Sequence, residues 1–125
     1  MPRVLTIDDN PLFLTVMNDL LARFPNVRMV GSAINGIEGL AAARALEPDM
    51  VIVDMKMPGL SGLEVAERLH REQPDVRVVL ISLMDGEACQ ASAAAAGAES
   101  FICKKDLFSR LPAILNCHEP VLVAA

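Results

Sequence analysis

MVIVDMKMPGLSG, residues 50–62, decides the fold of this 125-residue chain. Residues 50–53 form an apolar run too short for a helix, closed by the carboxylate of Asp54. A run with no polar alternation belongs to a strand covered on both faces, as in a parallel sheet with helices on each side. Pro58 and Gly59 then mark a loop. Outward from this segment the same succession repeats. Runs at 4–7, 27–33, 76–81 and 100–103 alternate with longer amphipathic stretches. The first stretch carries Phe13, Val16, Met17, Leu20, Leu21 and Phe24 and closes at Pro25. The second carries Ile37, Leu40, Ala41 and Ala45, and the third carries Leu63, Ala66 and Leu69 and ends before Pro74. An Ala-rich stretch at 85–96 predicts a helix with Gly97 placed to cap its C-terminus. The last stretch carries Leu107, Phe108, Leu111, Ile114 and Leu115, with Pro112 expected to shorten or kink it. Five β-α units imply an α/β three-layer sandwich with a mostly parallel sheet. They account for residues 1–117 as one domain, and 118–125 read as a tail or the start of a linker.

Composition narrows the function. Hydrophobic residues make up 53% of the chain, enough for a packed core, and the formal charge is -5. With no basic stripe, this segment has no footprint for nucleic acid. The apolar runs are too short to span a bilayer, and the N-terminal run is too brief for a signal peptide. Cys89, Cys103 and Cys117 are odd in number, show no metal-ligand spacing and read as reduced thiols of a cytosolic protein.

Ligands of open parallel sheets bind in the crevice beyond the carboxyl ends of the strands. Here the strand ends carry Asp8 and Asp9, Asp54, Ser82 and Lys104. Ionised carboxylates about 4 Å apart repel by roughly 4 kcal/mol per pair at an effective dielectric near 20. A hard divalent cation relieves this, and Mg²⁺ favours a few carboxylates plus waters and a phosphate. A phosphoryl group on Asp54 would be neutralised by such a metal and by Lys104, with Ser82 turning inward to hydrogen-bond it. Capping is the plainer role for Asp8, Asp9 or Asn10 at the first helix.

IDDNP at the first strand end, VDMKMPGLSG, LIS, and AGAESFICK before the lysine together resemble the receiver domain of two-component response regulators. The resemblance covers the chain apart from the tail. It implies a flavodoxin-like (βα)5 fold with strand order 2-1-3-4-5. It also implies that Asp54 is the phosphoacceptor, supplied by a sensor histidine kinase or phosphotransfer protein, and that Asp9 ligates Mg²⁺ (or Mn²⁺) with Asp8 positioning it. The backbone carbonyl of Lys56 completes the protein's ligands, Ser82 is the switch hydroxyl and Lys104 pairs with the phosphoryl group. Phe101 occupies the position of an aromatic whose rotamer follows the switch. The readout implied is dimerisation or output-domain control through the fourth helix, fifth strand and fifth helix, with the kinase docking near Pro11 and Leu12. DDNPLF and KKD are most similar to receivers that precede a helix-turn-helix domain, which implies transcription regulation in a cytoplasmic parent protein.

Three positions depart from that pattern. Leu83 stands where a small residue is usual and is expected to narrow access to Asp54. Lys105 replaces a common proline that follows a cis bond. Phe101 lacks the tyrosine hydroxyl. Two other functions compete. A degenerate receiver would only bind proteins. An aspartyl-phosphate phosphatase resembling the haloacid dehalogenase class would need a second Asp two residues after Asp54, where this chain has Lys56. No Gly-rich loop follows the first strand, which argues against nucleotide binding.

Overall fold

Side chains of a strand alternate between two faces, and that parity divides the molecule into two cores. The computed structural model describes residues 1–115. Cys117, His118 and the tail expected over 118–125 lie outside the described residues. Five strands, β1 (Arg3–Ile7), β2 (Arg28–Ala33), β3 (Met50–Asp54), β4 (Arg77–Ser82) and β5 (Ser100–Cys103), pair in parallel in the order β2-β1-β3-β4-β5. This is the expected flavodoxin-like order. Val4, Met50, Ile52, Val79, Ile81 and Ile102 pack against α1 (Pro11–Leu21) and α5 (Leu107–Ile114). Leu5, Ile7, Val51, Val53, Val78 and Leu80 pack against α2 (Gly36–Leu46), α3 (Gly62–Glu72) and α4 (Glu87–Ala95) on the other side. Because β3 and the C-terminal half of β4 are buried on both faces, their sequences show no alternation.

Helix boundaries follow local chemistry. Asn10 caps α1, its side chain accepting from the amides of Leu12 and Phe13, and Pro11 opens the helix. Ser61 and Glu64 form a capping box at α3. Gly97, at φ 85°, follows the last turn of α4 as expected, with its N–H bonded to the Ala94 carbonyl and Ala98 N–H to Ala93. The helix starts later than its sequence implied. The Asp85 carboxylate accepts from the Gly86 amide rather than capping the helix, and α4 begins at Glu87. Pro112 does not end α5, which runs through it to Ile114.

The face that α2 buries is not the one its larger side chains mark. Gly36, Gly39, Leu40 and Ala43 face inward, while Ile37 is 73% exposed and Ala41 and Ala45 are also exposed. The glycines explain this. A Cβ on Gly39 would lie 2.4 Å from the Ile7 side chain, and one on Gly36 would lie 2.7 Å from the Leu60 carbonyl. Around Leu40 the helix backbone itself is the packing surface, so hydropathy places Leu40 correctly and misplaces Ile37, Ala41 and Ala45.

At the sheet edge, a polar triangle anchors β2 to α1. Thr6, fully buried, donates to Asn18 at 2.7 Å and shares a 2.7 Å hydrogen bond with Ser32, and Asn18 donates to Ser32 at 2.9 Å. No helix among the described residues is long and apolar enough to cross a membrane.

Candidate functional site

Strand parity also selects which polar residues meet. Asp8 continues the face of Val4 and Thr6, Asp54 that of Met50 and Ile52, and Lys104 that of Ile102. All three therefore open at the carboxyl edge on the side of α1 and α5. Carboxylate oxygens of Asp8, Asp9 and Asp54 lie within 4.8 Å of one another. The Lys104 ammonium reaches into the group, 2.9 Å from Asp8 Oδ2 and 3.5 Å from Asp54 Oδ2, with its side chain only 6% exposed.

Backbone contacts hold the acids in place. Asp8 Oδ1 accepts from the Asn10 amide at 2.8 Å, which ties this acid to the cap of α1. Asp54 is fixed from below. Gly62, the first residue of α3, donates to the Met55 carbonyl at 3.0 Å. Its missing Cβ would stand 1.9 Å from the Asp54 carbonyl oxygen. Only glycine lets the start of α3 press against the Asp54 backbone.

Electrostatics at Asp54 are opposed. Burial, and then the negative charge of Asp8, push its carboxyl up from 3.8 to about 6, with Asp9 adding to the push. The Lys104 ammonium and a hydrogen bond from the Lys56 amide resist this. One lysine among three acids leaves an excess of negative charge. Asp8 Oδ2 is buried without a hydrogen bond, although Lys104 lies close. An unused lone pair on a hard oxygen, beside further carboxylates, fits a divalent cation such as Mg²⁺.

The other expected residues lie around this group. Ser82 is 3% exposed, and its Oγ accepts from the Met84 amide at 3.1 Å, so in this conformation the hydroxyl is engaged in its own loop. Phe101 is half-buried and packs on the core beneath α4. The Lys56 ammonium meets the Met84 sulfur at 3.1 Å and bridges the loops after β3 and β4. Leu83, expected to narrow access to Asp54, stands 80% exposed, while Asp54 itself is 7% exposed. Every peptide bond among the described residues is trans, that between Lys104 and Lys105 included, and 104–106 form a turn of 3-10 helix. Lys105 points away, 3.9 Å from Asp85.

Two features escaped the sequence reading. The Phe13 ring lies under the Lys104 ammonium, 4.2 Å from its centroid. Asp85, Cys103 and Asp106 also bring ligand atoms within 4.8 Å. That grouping is already engaged, since Cys103 Sγ donates to the Leu83 carbonyl at 3.7 Å and Asp85 pairs with Lys105. Neither proximity has a signal in sequence spacing.

Comparison with known proteins gives this arrangement its context. The chain is 38% identical over 104 residues to the response regulator GacA of Pseudomonas viridiflava, covering 83% of this chain and 49% of that protein. It is 34% identical over 101 residues to the nitrate/nitrite response regulator NarL of Escherichia coli, covering 81% and 47% respectively. It thus spans about half the length of these curated relatives. A segment of protein-glutamate methylesterase/protein-glutamine glutaminase 2 from Methanosarcina acetivorans is 41% identical over 81 residues, and the match spans 23% of that protein. Among solved structures, the signal receiver domain of NarL from Mycobacterium tuberculosis superposes with a TM-score of 0.86 at 33% identity, over 93% of this chain and 94% of that one. The model of the response regulator receiver domain matches residues 4–116. The fold, the acidic edge and these matches agree, and the chain belongs to the response regulator receiver domain family of two-component signalling.

Proposed function

We propose that the domain is a phosphorylation switch in which Asp54 accepts a phosphoryl group from a sensor histidine kinase or phosphotransfer protein. The observation that carries this reading is the meeting of Asp8, Asp9 and Asp54 oxygens within 4.8 Å, with Lys104 2.9 Å from Asp8 and 3.5 Å from Asp54. Asp8, Asp9, Asp54 and the backbone carbonyl of Lys56 would hold Mg²⁺, or Mn²⁺ in its place. Once bound, the metal supplies positive charge that offsets the acids and the incoming phosphoryl oxygens.

Asp54 acts as the nucleophile. A carboxylate oxygen forms a bond to phosphorus while the P–N bond of the donor phosphohistidine breaks. The electron pair leaves with the imidazole, which then takes a proton. With acetyl phosphate, a P–O bond breaks instead and acetate departs. With a carboxyl value of about 6, most Asp54 is ionised at pH 7. Lys104, already within reach, neutralises a phosphoryl oxygen. Ser82 gives up its Met84 contact to bond another, and Phe101 follows. Pro11 and Leu12, both exposed at the start of α1, are suited to kinase docking.

The signal would leave through α4, β5 and α5, as dimerisation or control of an output domain. Residues 1–117 form the receiver and 118–125 a tail or linker toward that output. Transcription regulation in a cytoplasmic parent protein is the output suggested by GacA and NarL. The segment would act on no substrate beyond its own phosphorylation and dephosphorylation. Its charge of -5 gives no footprint for nucleic acid. The degenerate alternative rested on Leu83 blocking access, and that side chain is 80% exposed.

Intact mass after incubation with Mg²⁺ and acetyl phosphate, beside Asp54→Asn, tests this reading. A phosphoryl-sized gain requiring both Mg²⁺ and Asp54 is expected. No gain from acetyl phosphate or from a panel of histidine kinases would return the domain to a protein-binding role.

A further inference from the structure

Lys104 bears a flexible four-carbon stem, and such a side chain has many rotamers to lose before its charge is fixed. Yet its ammonium sits at one point, between Asp8 and Asp54 and 4.2 Å above the centre of the Phe13 ring. Two carboxylates alone set a distance from each of them without setting a direction. The ring supplies the third support, since its negative face attracts a cation and does so more strongly where water is excluded. Here the lysine side chain is 6% exposed.

Phe13 is itself anchored. Its amide donates to the Asn10 side chain at 3.2 Å, and the Asn10 amide donates to Asp8. One short chain of hydrogen bonds therefore places both the acid and the aromatic that meet Lys104. The ring also lines the groove between α1 and α5, with Val16, Leu20, Leu107 and Phe108.

We propose that Phe13 is a positioning residue for the phosphorylation chemistry, holding the Lys104 ammonium over the gap between Asp8 and Asp54 where an incoming phosphoryl oxygen would meet it. The effect on rate rests on Asp54 being the acceptor, whereas the positioning itself does not. Phe13→Leu keeps an apolar side chain and removes the ring face. Phe13→Tyr keeps the face.

The first readout is ¹³C relaxation and chemical shift of the Lys104 ε-methylene in the full chain, without phosphodonor. A rigid methylene with ring-shifted proton resonances is expected in the wild type and in Phe13→Tyr, and a mobile, averaged one in Phe13→Leu. The second readout is the rate of phosphorylation by acetyl phosphate with Mg²⁺. It is expected to fall about tenfold in Phe13→Leu, the loss matching one desolvated cation–ring contact, and to return in Phe13→Tyr. A Lys104 as rigid in Phe13→Leu as in the wild type would overturn the proposal. So would lost rigidity with an unchanged rate. If the wild type accepts no phosphoryl group, the acceptor reading fails, and the relaxation data still decide whether Phe13 holds Lys104.

Discussion

Asp54→Asn removes a charge that the metal-free fold holds against burial and against Asp8. Its carboxyl sits at about 6 when folded and ionises near 3.8 when free. The sign follows from which state releases its proton first. Below about pH 4 the group is protonated in both states and folding gains nothing from its titration. As pH rises from 4 to 6 the unfolded chain ionises first, so stability drops across that window and stays lower above it. Two pKa units correspond to about 3 kcal/mol, with the pull of Lys104 already counted among the opposing influences. The Asn variant does not titrate and escapes this loss. Thermal melts in EDTA should then show the variant equal to wild type near pH 3 and, allowing for solvent screening, up to about 3 kcal/mol more stable above pH 7. For a domain of this size that is roughly a 10 °C rise in Tm. Adding Mg²⁺ should narrow the gap, because the wild type, with the complete acid set, is expected to bind it more tightly than the variant. A variant no more stable than wild type in EDTA at about pH 7.5 would refute the electrostatic account of the site.

Mg²⁺ affinity should weaken as pH falls below the Asp54 value of about 6, by up to about tenfold per unit, because the metal must displace the proton; calorimetric titration from about pH 5 to 8 measures this. Gly62→Ala drives a Cβ to within 1.9 Å of the Asp54 carbonyl oxygen. Overpacking of this kind costs about 1–3 kcal/mol or more, visible in the urea midpoint, and it should slow phosphorylation by tilting the acceptor. Thr6→Val removes the donor of the edge triangle and leaves Asn18 and Ser32 short of a partner. A loss of about 1–2 kcal/mol is expected in the same unfolding assay, with phosphorylation unchanged.

How much of this was legible depends on the range of the physics involved. Strands β3 and β4 were readable because burial on both faces leaves a continuous apolar run. Asp54, Ser82 and Lys104 were readable because each directly ends or follows such a run. Apart from Leu40, the inward face of α2 was not, because Gly36 and Gly39 carry no hydropathy signal and act through the space they leave. The start of α4 was misjudged because Asp85 offers its carboxylate to the neighbouring Gly86 amide and leaves the helix uncapped by a side chain. The 80% exposure of Leu83 has no signal in its size, because the course of the loop sets its orientation. The Phe13–Lys104 contact joins the first helix to the end of the last strand, and no local pattern encodes it.

The contact of Gly62 with the Asp54 backbone has a mechanical consequence. It makes α3 the fixed jaw of a vise, bolted beside Asp54 through the Gly62 amide and the Met55 carbonyl. Strain introduced at Asp54 has little travel available in that direction. The opposing jaw is the loop after β4, where Leu83, Met84 and Gly86 are exposed, and the proposed switch would draw on the travel available there. A fluorophore on the outer face of α3 would therefore serve as a silent reference. The same probe near Met84 would register the stroke.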